Sequence, residues 1–262
     1  MKKVSKESKA PVTEVSLEEV EKPKQKILFQ PNPGPQTSFL AATEQEVLYG
    51  GSAGGGKSYS LVVDPIRYFG NSQASMLLVR RSTEELRELI SISKDLYPKA
   101  VPGIKFMERD KTWVAPSGAT LWMSYLDRDD DVMRYQGQAF NWIGFDELTQ
   151  WPTPYPWNYM RSRLRSSKDS GLPLYMRATT NPGGPGHQWV KKTFIDPSPH
   201  NESFWATDID TGNVITWPKG HTKEGEPLFK RKFIPATLFD NPYLAEDGMY
   251  EANLLSLPEH QR

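Results

Sequence analysis

The segment Gly51-Ser52-Ala53-Gly54-Gly55-Gly56-Lys57-Ser58 fits the pattern G-x-x-x-x-G-K-[ST]. Each residue type has a task in holding a phosphate chain. Glycines let backbone N–H groups turn inward around phosphate oxygens, Lys57 reaches the terminal phosphates, and Ser58 Oγ is a ligand for Mg²⁺. A strand over residues 46–49, halted by Gly50-Gly51, is expected to lead into the loop. A helix beginning at Tyr59 is expected to leave it, offering its first amides to the anion. The loop together with Tyr59 is the candidate nucleotide-binding segment.

A second constellation follows about 90 residues later. Trp142-Ile143-Gly144-Phe145 reads as a buried strand that ends in two acids, Asp146 and Glu147. At the C-terminal edge of a parallel sheet such residues face the ligand crevice. Asp146 is placed to hold Mg²⁺, and Glu147 to orient and polarise an attacking water, which favours a hydrolase over a kinase. No Asn-Lys-x-Asp guanine signature is present, so ATP is the expected nucleotide. A third strand, residues 174–179, runs into Thr179-Thr180-Asn181-Pro182-Gly183-Gly184. Its hydroxyl and amide groups either meet the terminal phosphate and the water or form an ordinary strand exit.

The elements that must position these groups alternate between strand and helix. Besides those named, strands are expected over residues 75–80, 105–107, 112–114 and 120–125. Helices are expected over 37–42, 59–69 (kinked or ended near Pro65), 83–96 (capped by Ser82 or Thr83), 155–165 and 247–257. That alternation argues for a mostly parallel α/β sheet with right-handed crossovers. After about residue 186 the pattern loosens and proline is frequent. The expected organisation is a tail over 1–26, a core over 27–185, and a lid or linker subdomain over 186–262.

The chain has 262 residues, 37% hydrophobic and 24% charged, enough to build a core. Its 32 basic and 32 acidic side chains cancel, so bulk charge selects no partner, although a local patch remains possible. The absence of cysteine excludes disulfides, thiolate metal sites and thiol nucleophiles. Residues 1–26 hold seven Lys and five Glu with no aromatic residue, which suits a flexible tail that is either merely solvated or a contact arm. No apolar run approaches the roughly 20 residues that span a bilayer, and the basic N-terminus lacks an apolar stretch after it. The expected address is cytoplasmic.

The order and spacing of these pieces resemble the ATPase domain of tailed-bacteriophage terminase large subunits. The likeness rests on Val47 through Ser58, on Phe145-Asp146-Glu147-Leu148, and on Thr179 through Gly184 with Gly186-His187-x-Trp189. It also rests on Phe233-Ile234-Pro235-Ala236-Thr237-Leu238-Phe239-Asp240-Asn241-Pro242-Tyr243-Leu244, and it covers about residues 28–262. The resemblance implies a RecA-like P-loop NTPase fold of the additional-strand class, with a mostly parallel central sheet flanked by helices and a small C-terminal lid subdomain. It implies a homo-oligomeric ring on the capsid portal, working with a small terminase subunit. That ring would drive double-stranded DNA into a procapsid in the host cell cytoplasm at the expense of ATP. By that resemblance Gly51, Ser52, Ala53, Gly54, Gly55, Gly56, Lys57, Ser58 and Tyr59 hold the nucleotide. Ser58 and Asp146 hold Mg²⁺, Glu147 is the catalytic carboxylate, and Thr179, Thr180 and Asn181 couple hydrolysis to movement. Gln36 falls in the adenine-contacting segment.

Two departures stand out. Many members carry Arg in the phosphate loop where this chain has Ser52-Ala53, and the family usually continues into a nuclease. No DNA cleavage is therefore expected of this chain. Arg134, which precedes the acid pair, is the leading candidate for an arginine that completes a neighbour's site; its plain alternative is a surface residue paired to Asp129–Asp131. Arg80, Arg81, Arg161, Arg163 and Arg165 are further candidates, and Lys105, Arg109 and Lys111 are options for backbone contacts to DNA, which would be independent of sequence. The run Trp151-Pro-Thr-Pro-Tyr155-Pro-Trp157 reads as packing or as a subunit contact. The rival readings are another DNA-translocating or helicase-like ATPase, and an assembly module that binds nucleotide with negligible turnover.

Overall fold

The computed structural model describes Ile27, residues 29–52, residues 54–241, Ala252 and Ser256. The expected tail, the helix over 247–257 and Ala53 of the phosphate loop lie wholly or mainly outside the described residues. The centre is a nine-stranded sheet. Its strands in chain order are β1 (Glu46–Gly51), β2 (Ser75–Arg80), β3 (Lys105–Met107), β4 (Thr112–Val114), β5 (Thr120–Tyr125), β6 (Trp142–Phe145), β7 (Tyr175–Thr180), β8 (Ser203–Trp205) and β9 (Lys230–Ala236). Across the sheet the order is β3-β4-β5-β2-β6-β7-β1-β9-β8. The six strands from β5 to β9 in that order run parallel, and antiparallel β3-β4 and β8 close the two edges. An additional strand, β7, separates the strand that leads into the phosphate loop from the strand that carries the acid pair.

Both faces of the parallel strands are covered, so their residues are apolar in either direction. Val47, Tyr49, Met76 and Leu78 point to one face, where α1 (Pro35–Ala41), α2 (Lys57–Val63) and α3 (Thr83–Ala100) supply Phe39, Leu61, Leu86 and Leu89. Leu48, Leu77, Val79 and Phe145 point to the other, against Trp151, Trp157 and Met160 of the segment around α4 (Tyr155–Arg161), and Phe194 after α5 (His187–Val190). The aromatic run from Trp151 is thus largely packing. Both tryptophans are buried edge-on against the Phe145 ring.

Most expected elements are present. Ser82 caps α3 by accepting from the Glu85 N–H at 3.3 Å. Pro65 stands where α2 gives way to a 3-10 turn, Asp64–Tyr68. Helix α4 stops at Arg161, short of the expected 165, because the backbones of Arg163 and Arg165 bond to Phe140 instead. β1 continues through Gly50 and Gly51 rather than halting before them. Gly51 has φ 135°, and a Cβ there would stand 1.9 Å from the Ala236 carbonyl, so only glycine lets β9 come this close.

β9 corrects the expected domain boundary: residues 230–236, inside the stretch expected to form a lid or linker subdomain over 186–262, pair with β1 along its whole length inside the core sheet. The core therefore draws on chain beyond residue 185. Among the described residues no helix is long and apolar enough to cross a membrane.

Candidate nucleotide-binding and catalytic site

The C-terminal ends of β1, β2, β6 and β7 bring the sequence-predicted residues to one edge of the sheet. The phosphate loop turns out of β1 with Gly54 and Gly56 at positive φ, and α2 begins at Lys57. Tyr49 braces the loop from below, its hydroxyl donating to the Gly55 carbonyl at 3.1 Å. Lys57 is only 5% exposed. Its Nζ donates to the carbonyls of Ser52 at 2.6 Å and Gly51 at 3.3 Å. Burial disfavours the ammonium and brings its pKa down to about 8, while Glu147 pulls weakly the other way.

Asp146 follows β6 and is fully buried. Its backbone N–H donates to the Val79 carbonyl, which extends the pairing of β6 with β2 by one residue. Ser58 donates to Asp146 Oδ1 at 2.9 Å, and the Thr179 hydroxyl donates to the same oxygen. Arg80, at the end of β2, binds Asp146 Oδ2. A serine hydroxyl and a carboxylate in contact are the hard oxygen donors that Mg²⁺ takes. Among the described residues no group of three or more His, Cys, Asp or Glu stands ready to hold a metal.

Glu147 adopts φ 57° and ψ 59°, left-handed geometry that is uncommon outside glycine. Such strain persists where the surroundings over-determine it. Here they do. The Glu147 N–H donates to Thr179 Oγ1 at 3.1 Å, and Asn181 donates to its carboxylate twice: backbone N–H to Oε2 at 2.9 Å and Nδ2 to Oε1 at 2.6 Å. One strand end, Thr179 to Asn181, thus holds both acids. Thr180 points elsewhere and bonds Thr149 Oγ1 at 2.9 Å.

Two cavities meet at this edge. One of about 330 Å³ is lined by residues 54–59, Glu88, Glu147 and Asn181. The other, about 400 Å³, shares Gly56 and Tyr59 and is lined also by Phe29, Asn32 and Gln36. Gln36 accepts from the Asn32 N–H at 2.6 Å and donates to Ser60 Oγ at 2.9 Å, so its amide is fixed beside the loop. The Phe29 and Tyr59 rings lie 5.5 Å apart along the same wall.

The arginines divide. Arg134 does not join this cluster; it is half-exposed, bound to the Tyr125 carbonyl at 2.8 Å and to Asp131 at 3.3 Å. Arg161 lies at the opposite edge of the sheet, where it and Arg231 flank the buried Glu46. Arg163 stacks on Tyr159, and Arg165 bonds the Gln138 carbonyl. Among the described residues Arg80 is the arginine that reaches Asp146, and its position at a strand end was the signal for it. Asn241 was not anticipated either; it donates to the Gly54 carbonyl at 2.6 Å and steadies the loop from the far side.

No protein-family model matches the chain. No curated protein matches it. Solved structures do. A large terminase from a thermophilic bacteriophage aligns with TM-score 0.57 and 16% identity, over 88% of this chain and 52% of its own. The same terminase in complex with ADP aligns with TM-score 0.54 and 15% identity, over 87% of this chain and 51% of its own. The large-terminase ATPase domain of Thermus phage P74-26 aligns with TM-score 0.53 and 11% identity, over 86% of this chain and 88% of that domain. This chain spans about half the length of the first two. At these identities the likeness carries the fold, and the fold is that of the phage large-terminase ATPase domain: RecA-like, with a P-loop.

Proposed function

We propose that the chain is an ATP-hydrolysing motor domain of viral DNA packaging. The observation that carries the reading is the convergence of Lys57 and Ser58 of the loop with Asp146 and a doubly clamped Glu147 at the end of one parallel sheet. Phosphates would lie in the smaller cavity against the loop, and the base in the larger one beside Gln36, Phe29 and Tyr59. Lys57 meets the terminal phosphates. Mg²⁺, held by Ser58 and Asp146, would neutralise charge on the phosphate oxygens. Glu147 orients the attacking water and accepts its proton. Asn181, already bonded to that carboxylate, gives β7 a direct line to the chemistry, which suits the coupling role given to Thr179, Thr180 and Asn181.

The terminase fold extends the proposal to partners. These are double-stranded DNA gripped without regard to sequence, a capsid portal, a small terminase subunit, and further copies in a ring, all in the host cytoplasm. Arg134, exposed and away from its own site, is suited to a neighbour's. A second reading has an observation in its favour. Both Glu147 oxygens are engaged by Asn181, and Arg134 lies outside the pocket, so a lone subunit would bind nucleotide and turn it over poorly. Steady-state ATP hydrolysis against protein concentration tests both, with Glu147→Gln as the blank. Turnover per subunit that rises with concentration supports the motor, and a flat rate at the blank level with intact binding supports the binding module. Turnover retained by Glu147→Gln would remove Glu147 from its role.

A further inference from the structure

Asp146 spends its two oxygens unequally. Oδ1 accepts from two neutral hydroxyls, Ser58 and Thr179, whereas Oδ2 is taken by the Arg80 guanidinium. The carboxylate is fully buried and Arg80 is 12% exposed, so the guanidinium is the cation that balances this acid. A divalent ion ligated by Asp146 would share this carboxylate with the guanidinium, and two cations on one carboxylate repel. Arg80 also has somewhere to go. Its Nε is buried with no hydrogen-bond partner and faces Glu85 Oε2 at 3.7 Å. Glu85 is held ready by the Ser82 hydroxyl at 3.0 Å and by Gln150 Nε2 at 2.9 Å.

We propose that Arg80 is a built-in stand-in for the divalent cation: guanidinium and Mg²⁺ exchange on Asp146, and the displaced Arg80 is received by Glu85. The inference rests on the nucleotide-site reading above and deepens it. Arg80 here is a positioning residue. It balances the charge of the metal-binding carboxylate and holds it in place between turnovers, and it sets how much Mg²⁺ is needed to load the site. Because Glu85 caps α3 together with Ser82, and Gln150 follows the acid pair, the exchange would also pull on the first turn of α3 whenever the metal enters.

The test needs no turnover. Binding of fluorescent mant-ADP is followed while Mg²⁺ is titrated, and Mn²⁺ binding is read independently by electron paramagnetic resonance. Arg80→Gln removes the competing charge, so the Mg²⁺ concentration for half-maximal binding should fall about tenfold or more, the scale on which a neighbouring charge alters a carboxylate's affinity for a cation. Arg80→Lys should stay near the wild type. Glu85→Gln removes the receiving acid and should move the midpoint the other way, and it serves where Arg80→Gln fails to fold. A residue that only supports the fold would weaken mant-ADP binding equally at every Mg²⁺ level. That outcome, or midpoints unmoved in both variants, overturns the exchange. Weaker binding of Arg80→Gln at saturating Mg²⁺ also overturns it, by making Arg80 a nucleotide contact. Wild-type binding of mant-ADP together with unmoved midpoints in the variants sinks the exchange alone and leaves the nucleotide reading standing. A wild type that binds none at any Mg²⁺ level removes the nucleotide reading and this inference with it.

Discussion

Lys57 offers the sharpest quantitative test of the phosphate loop. Burial lowers its pKa from 10.5 to about 8 in the free site. A nucleotide's phosphates would restore the charged form, so binding above pH 8 must take up a proton. With a pKa near 8, about nine-tenths of Lys57 is protonated at pH 7 and about one-tenth at pH 9, so affinity should fall about tenfold between them. Proton uptake on binding should rise from about 0.1 to about 0.9 over the same range. Calorimetry of ADP binding in two buffers of different ionisation heat reads that number directly, and Lys57→Met should abolish the pH-dependent part. The stability sign is opposite to that of an ordinary ion pair. The folded pKa lies below the unfolded one, so the charged, buried lysine costs about 3 kcal/mol below pH 8, a cost relieved as pH rises from 8 to 10.5. Equal affinity and no proton uptake at pH 9 would refute the argument, because the lysine that meets the phosphates could not then be this desolvated one.

Three further outcomes are expected. Asn181→Ala removes the Nδ2 donor from Glu147 and should lower kcat about tenfold or more while ADP affinity changes less than about threefold, measured by steady-state kinetics and calorimetry; an unchanged kcat would mean that the clamp does not position the carboxylate. Gly51→Ala combines a positive φ with a collision against the Ala236 carbonyl and should cost about 2–5 kcal/mol in chemical denaturation; a loss under about 1 kcal/mol would mean that β9 is not docked on β1 as described. Arg134→Ala mixed with Glu147→Gln should recover turnover that neither variant has alone, since an interface in which Arg134→Ala supplies the acid and Glu147→Gln supplies the arginine is intact; inactivity at every mixing ratio argues against a trans role.

Most of the sheet was legible because its signals are local. β2, β3, β4, β5 and β6 have the expected bounds, being short apolar or alternating runs between turn residues. β9 was not legible, and its residues explain why. Lys230-Arg231-Lys232-Phe233-Ile234-Pro235-Ala236 carries three cations and a proline, a poor advertisement for a strand inside a sheet. The structure resolves each objection. Arg231 is paired to Glu46 beneath β1, and Phe233 and Ile234 cover opposite faces. β8 pairs only with residues 230–232, so Pro235 lies beyond its neighbour's end and its missing N–H leaves no ladder bond unmade. All three facts depend on partners far away in sequence, and no window around residue 235 contains them.

The site divides along the same line. The loop, the acid pair and the Thr-Thr-Asn exit were readable because each is a contiguous motif at a strand end, and parallel strands deliver such ends to one edge. What holds Asp146 and Glu147 was not readable, because it is set by strand order. The contacts from Thr179 and Asn181 exist because β7 is inserted between β1 and β6, and the contact from Arg80 exists because β2 lies on the other side of β6. The same order explains which arginine reaches this chain's own site. Arg134 is close to the acid pair in sequence but follows β5, which lies beyond β2 from β6, whereas Arg80 is 66 residues from Asp146 and ends the adjacent strand. In a parallel sheet, proximity in the chain is a poor guide to proximity at the edge. A cation that must balance a buried carboxylate is therefore sought at the ends of the strands that flank it.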